Sequence, residues 1–201
     1  MLAKIFRLIQ EHTIKDFLSI CKNSSFVNAS YFIYLFDEKL KDNKEFKTNE
    51  SILIRKGDID ELNYARKFVD KPFWEFQCHL HDGVDDFFIA ENNDGIQHIS
   101  WIYYSWHPNR LLSLEIDEVE IKYCLTMPES RGKNIYPAVI HQIIFYLQNH
   151  GVKRIFMCVR ENNYSSIRGI EKAGFKKVDS FKLRRAFGIQ IYPSIKTNLI
   201  K

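Results

Sequence analysis

Between residues 136 and 147, Tyr136, Val139, Ile140, Ile143, Ile144 and Leu147 stand at offsets of 0, 3, 4, 7, 8 and 11. That spacing puts six apolar side chains on one stripe of a helix, and the stripe must be buried against another element. Pro137 falls in the first turn, where the missing N–H is tolerated, and Gly151 suits the position just past the end. Runs rich in strand-forming residues lie on both sides, Glu118 to Thr126 before the helix and Lys153 to Arg160 after it. The spacing therefore predicts a helix laid on a sheet. The rest of the chain is read around this unit.

Upstream, Ser51 to Arg55 reads as a short strand. Asp58 caps a helix that takes in Ile59, Leu62, Ala65, Arg66 and Val69. Pro72 opens a second helical piece, Phe73 to Leu80, closed by Asp82-Gly83. Asp86 to Ala90 and Ile96 to Trp106 flank Asn92-Asn93-Asp94-Gly95, which predicts an antiparallel hairpin. Downstream, Asn163 caps a helix with Ile167, Ile170 and Ala173 inward, ended by Gly174. Phe175 to Val178 starts the last strands, with Phe187 to Tyr192 among them. Before the core, residues 2–21 have helical spacing, Tyr31 to Phe36 is a compact aromatic strand, and 37–50 is a charged, solvated boundary. The fold class is α/β, in the sense of an α+β mixed sheet covered by helices. The organisation is an extension over residues 1–50 and a domain over 51–201.

Composition narrows the function classes. The 201 residues include 16 Phe and 10 Tyr, ample for a core, and only 8 Gly and 5 Pro. Lys+Arg 29 against Asp+Glu 25 leaves a net charge of +4, scattered along the chain, so no nucleic-acid partner is expected. Cys21, Cys78, Cys124 and Cys158 share no CxxC spacing, which favours a reducing, cytoplasmic setting over a disulfide or zinc framework. Arg7, Glu11, His12 and Lys15 interrupt the apolar start, so neither a signal nor a membrane segment is expected there. His79 and His81, even with His98 and His107 to draw on, offer no second cluster to complete a three- or four-ligand site, so no metal is expected.

The most informative junction is LTMPESRGKNIY, Leu125 to Tyr136. A strand ends, a loop with Arg131, Gly132 and Lys133 follows, and the striped helix begins. The first amides of that helix lack intrahelical partners and face an anion favourably. The junction reads as a phosphate or pyrophosphate cradle, or else as a solvated loop.

This junction, together with NNYSSIRGIEKAGF from Asn162 to Phe175, resembles the GNAT superfamily of acyl-CoA-dependent N-acetyltransferases. Arg131, Gly132, Lys133 and Ile135 match that family's loop, with Asn134 and Tyr136 where glycines are usual. Asn163, Ser166, Glu171, Lys172, Gly174 and Phe175 match its later helix. The resemblance covers residues 51–190 in element order and is most specific over 118–178. It implies a mostly antiparallel, splayed central sheet flanked by helices, and acetyl-CoA as co-substrate. Amides from Arg131 through Gly132, Lys133, Asn134 and Ile135 to Tyr136 would hold the pyrophosphate. Leu125, Thr126 and Met127 would pair with pantetheine, and Asn163 and Ser166 would lie beside the cofactor arm. Trp74, His79 and His81 would shape the acceptor pocket.

The resemblance also exposes a gap. Ile170 stands where the family often has a tyrosine that protonates the leaving thiolate, and Tyr164 and Tyr136 are the nearest phenols. Glu118 and Glu120 share a strand face, and Glu120 is the first choice for the base that takes the amine proton. The expected reaction is direct acetyl transfer to a small polar primary amine, an amino sugar among the options. The rivals are an acyl-CoA sensor without catalysis and a partner-binding protein using residues 1–50. A homodimer through an edge strand or the N-terminal helix is a further expectation.

Overall fold

The computed structural model describes residues 26–37, 48, 51–67, 73–108, 111–186, 189–190 and 195–200. The helix expected over 2–21 and nearly all of the 37–50 loop lie outside them. The chain divides into two compact units. The larger comprises Phe32–Asp179 with Ser194–Lys201, the smaller Met1–Tyr31 with Ser180–Pro193.

The strands are β1 (Phe26–Phe36), β2 (Leu53–Lys56), β3 (Phe87–Asn92), β4 (Gly95–Tyr104), β5 (Leu112–Ser113), β6 (Glu118–Thr126), β7 (Arg154–Arg160), β8 (Lys176–Ala186), β9 (Ile189–Gln190) and β10 (Ile195–Lys196). The helices are α1 (Ile59–Arg66), α2 (Cys78–Asp82), α3 (Ile135–Asn149) and α4 (Tyr164–Lys172). The sheet of the larger unit runs β2-β3-β4-β6-β7, followed by the parts of β1 and β8 that belong to it, Phe32–Phe36 and Lys176–Asp179. The pairs β2–β3, β3–β4 and β4–β6 are antiparallel, and β6–β7 is parallel. The parallel pair follows from the connection, since α3 carries the chain back to the edge it left. In the smaller unit β8 and β9 pair antiparallel, with Arg185 opposite Gln190, and Tyr31 stacks on Phe181 at 5.4 Å.

The striped helix is α3, and its stripe is buried as the spacing requires. Val139, Ile140, Ile143, Ile144 and Leu147 join Ile102, Val119, Ile121, Ile155 and Met157 of the sheet in one core. Ile170 and Ala173 of α4 enter the same core. Each such isoleucine contributes about 1.5–3 kcal/mol by leaving water. The opposite face of the sheet holds a second core, Leu62 of α1 and Cys78 of α2 with Phe87, Ile89, Ile99, Trp101 and Tyr103.

The local signals act as the sequence implies. Asp58 accepts the amides of Asp60 and Glu61, and Asn163 accepts that of Ser166. Gly83, Gly151 and Gly174 follow helix ends with positive φ. Several expectations need correcting. The piece at 73–80 is a 3-10 turn, Trp74–Gln77, followed by the short α2. β1 starts at Phe26, five residues before the expected strand. The paired strands β5 and β10 fall in stretches that no periodicity marks.

Gly57 shows how tightly the second core is closed. A Cβ there would come within 2.0 Å of the Phe87 ring, which itself stacks on Trp101 at 4.5 Å. Gly57→Ala should destabilise the fold by about 1–3 kcal/mol, read as a lowered urea midpoint.

Candidate functional site

The strands β6 and β7 pair only from Glu118–Arg154 to Ile121–Met157. Beyond that point β6 runs on to Thr126 and β7 to Arg160 without pairing, so the sheet opens between them. The cause lies on the other edge of β6. From Trp101 to Ile99, β4 advances two residues while β6 advances three, Lys122 to Leu125. The extra residue is a bulge, and Tyr123 adopts φ 50° within it. A bulge bends its strand and raises the local twist, which turns the end of β6 away from β7.

A cleft of about 620 Å³ opens at this parting. Its strand wall is Cys124, Leu125 and Thr126. Its loop wall runs from Ser130 through Arg131 and Gly132 to Asn134. Ile135, Tyr136 and Pro137 add the first turn of α3, and Asn163, Ser165, Ser166, Arg168, Gly169 and Lys172 close it from α4. Nine of the eleven residues expected at the cofactor are therefore brought together: Leu125, Thr126, Arg131, Gly132, Asn134, Ile135, Tyr136, Asn163 and Ser166. Met127 and Lys133 lie outside this wall. Met127 gives its amide to Gln97 at 2.9 Å.

The loop is built to leave amides pointing outward. Gly132 has φ 79° and Asn134 φ 62°, both left-handed. Asn134 is the N-cap residue of α3, yet its side chain makes no capping hydrogen bond. Its Oδ1 instead accepts Lys172 Nζ at 2.7 Å. The first amides of α3 are thus left to the cleft, with the positive end of the helix dipole behind them. Arg131, Arg168 and Lys172 line the same space and, among the described residues, no carboxylate does. Ser130 anchors the loop from below through Gln97 at 2.5 Å.

A buried polar chain runs under the strand wall. Thr126 Oγ1 lies 2.7 Å from His98 Nδ1, and His98 Nε2 lies 2.7 Å from Ser100 Oγ. Cys124 stands beside this chain, near Ser100 and Tyr136. Burial lowers the His98 pKa to about 3, so its ring is neutral at ordinary pH. The same cause pushes the Cys124 thiol up to about 12 and holds the Tyr136 phenol well above its ordinary value. The Tyr136 ring stacks on His98 at 5.5 Å, and a Cβ on Gly169 would sit 2.4 Å from it.

The remaining expected residues lie elsewhere. Glu120 is fully buried on the face of β6 away from α3, where it accepts the Leu111 amide at 3.0 Å and contacts the Cys158 thiol. Glu118, on the same face, is held by Arg154 at 2.8 Å and by Thr197. Tyr164 opens α4 and is 69% exposed, outside the cleft wall. Trp74 stacks on His81 at 4.2 Å and meets the bulge residue Tyr123 edge-on at 6.5 Å. His79 turns instead to the Val84 carbonyl. Ile170 is buried in the α3 core. Among the described residues no group of His, Cys, Asp or Glu is placed to hold a metal ion, and no helix is long and apolar enough to cross a membrane.

A sequence model of the acetyltransferase (GNAT) family matches residues 57–175, more than half of the chain. The chain belongs to this family. Among solved structures it resembles a GNAT-family acetyltransferase from Colwellia psychrerythraea, at 13% identity and a TM-score of 0.55, over 86% of this chain and 61% of that one. It resembles a GCN5-related N-acetyltransferase from Sphaerobacter thermophilus equally, at 13% identity and TM-score 0.55, over 90% of this chain and 58% of that one. It also resembles AAC(6')-Ib, solved in complex with ribostamycin and coenzyme A, at 15% identity and TM-score 0.50, over 69% of this chain and 94% of that one. The chain thus spans about three fifths of the length of the first two. At these identities the likeness shows the fold alone. No curated protein matches the sequence.

The site carries its own pH signature. His98 binds a proton near pH 6.5 when unfolded but only near 3 when folded, so the unfolded GNAT chain holds more protons between these values. Stability should be fully present above pH 6.5 and fall by about 1.4 kcal/mol per pH unit as pH drops from there towards 5. Urea midpoints across that window check it, and His98→Asn should flatten the slope.

Proposed function

We propose that this GNAT chain transfers an acetyl group from acetyl-CoA to the primary amine of a small polar acceptor, by direct attack in a ternary complex. The observation that carries the reading is the convergence at one cleft of a parted strand end, left-handed loop residues, an uncapped helix N-terminus and three cations. A diphosphate is the ligand chemistry that uses the last three together. The parted edge of β6 from Lys122 to Thr126 offers backbone groups to the two amides of a pantetheine arm. The coenzyme A seen with AAC(6')-Ib supports the same ligand for this chain.

Direct transfer is favoured over a covalent intermediate. An acyl-enzyme needs an accessible thiolate, and burial pushes both Cys124 and Cys158 upward in pKa. The acceptor would approach from the opposite side of the β6 bulge. There Trp74, 47% exposed, stacks on His81 beside Tyr123, an aromatic surface suited to a flat or sugar-like ring. We assign Glu120, fully buried on the face of β6 away from α3, to taking the amine proton through water rather than by direct contact, and the attacked carbonyl oxygen to a backbone amide of the β6 end.

Saturating CoA at 100 times its dissociation constant should stabilise the protein by about 2.7 kcal/mol, seen as a thermal shift. Gly132→Val forces a β-branched residue to φ 79° and should erase that shift while the fold persists. An unshifted wild type with CoA, acetyl-CoA and longer acyl-CoAs would sink the reading. Shift without thiol release on any amine favours a sensor, for which the buried Ile170 is the motivation. Glu120→Gln should lower kcat about a hundredfold or more with CoA affinity kept, in a coupled thiol-release assay.

A further inference from the structure

The N-terminus of α3 stays open although its cap residue is of a type that closes helices well. An asparagine there ordinarily turns its Oδ1 back onto the second or third amide of the helix. Asp58 and Asn163 close α1 and α4 in this way, Asp58 from an extended backbone at φ −114° and ψ 136°. Asn134 has φ 62° and ψ 15°, a left-handed geometry that is unfavourable for a residue with a Cβ, and it makes no capping bond. Its Oδ1 accepts instead from the Lys172 ammonium at 2.7 Å, across 38 residues of sequence.

This tie sets two helix dipoles against each other. Lys172 stands in the last turn of α4, where the dipole favours a cation. The tie draws the same charge to the first turn of α3, where the dipole opposes one. Arg131 and Arg168 line the same cleft and add to the opposition. A self-capped Asn134 would relieve the left-handed backbone and free Lys172 from the α3 end. It would also occupy amides that a diphosphate needs. The chain instead holds its best local acceptor away from those amides.

We propose that Lys172 is a positioning residue for the diphosphate: by gripping the Asn134 side chain it keeps Asn134 left-handed and the first amides of α3 open to the ligand. Without that grip Asn134 relaxes to an extended backbone and caps its own helix. The cap and the diphosphate then compete for the same N–H groups. Lys172 therefore governs affinity through Asn134, beyond the attraction of its own charge.

This role rests on the acetyl-CoA reading, and the test separates the two. Lys172→Met keeps an unbranched side chain and removes the donor. Without ligand it should raise the thermal midpoint by about 2–4 °C, the gain from one helix cap in a chain of this size. CoA should bind about tenfold more weakly. Dephospho-CoA, which lacks only the ribose phosphate, should lose as much, because the loss falls at the diphosphate. Asn134→Gly removes the competing cap and tolerates the left-handed turn. In that background Lys172→Met should weaken CoA by about twofold or less and no longer raise the midpoint. Equal losses of CoA affinity with and without Asn134→Gly mean a direct charge contact alone and overturn the proposal. A loss confined to CoA and spared by dephospho-CoA overturns it, as does a ligand-free midpoint that does not rise. A wild type that binds neither ligand overturns the acetyl-CoA reading, and the ligand-free midpoints still decide whether Lys172 holds Asn134 off its helix.

Discussion

The parting of β6 from β7 is the constraint on which the rest of the site depends. A paired sheet satisfies its own backbone groups and leaves nothing for a ligand. Here the pairing ends at Ile121 and Met157 while both strands continue, which converts the middle of a sheet into an edge. The bulge at Tyr123 does this locally, by one residue, without disturbing the antiparallel ladder to β4 on either side. The opening does not weaken the fold, because α3 spans it from one face with a stripe that touches both strands. The same helix then aims its first turn into the gap. Support and ligand chemistry come from opposite ends of one element.

The other face of the sheet is stiffened by charge. Glu118 is almost fully buried, and Arg154 lies directly opposite it in register. The guanidinium also reaches the carbonyls of Thr197 and Ile200, at 3.2 and 2.9 Å. It thus ties the C-terminal turn to the paired end of β6 and β7. Removing one partner of such a pair leaves a bare buried charge, at a cost of about 3–5 kcal/mol. The paired half of the two strands is consequently the rigid half, and the parted half is the one free to meet a ligand.

Much of this was legible in the residues. The α3 stripe, its glycine stop, the Asp58 and Asn163 caps and the hairpin at Asn92–Gly95 all depend on neighbours in sequence, and each formed as expected. The loop residues from Arg131 to Tyr136 were legible because a helix start and a glycine have local signatures. The bulge was not, since neither Gly nor Asn marks Tyr123, and its register is set by β4 across the ladder. The strands β5 and β10 are two residues each and pair over a long separation, too short for any periodicity to show. Ser165, Arg168 and Gly169 entered the cleft wall unannounced, although Ser166 pointed to that face of α4. The buried polar chain of His98, Ser100 and Thr126 could not be read at all. His98, Ser100 and Thr126 look like ordinary alternating polar residues until two strands are laid side by side.

The contact between Tyr136 and Gly169 also limits how the chain can change over evolutionary time. With an aromatic ring at 136, any side chain at 169 collides with it. Shrinking residue 136 alone would open a void between α4 and the strand wall. The two positions must therefore drift as a couple, and a step at one is selected against until the other has moved. Lineages that branch from this one are expected to hold two alternative settings, a large residue at 136 with glycine at 169, or a small residue at 136 with freedom at 169. The mixed combinations should be scarce, an epistatic valley produced by a single van der Waals contact.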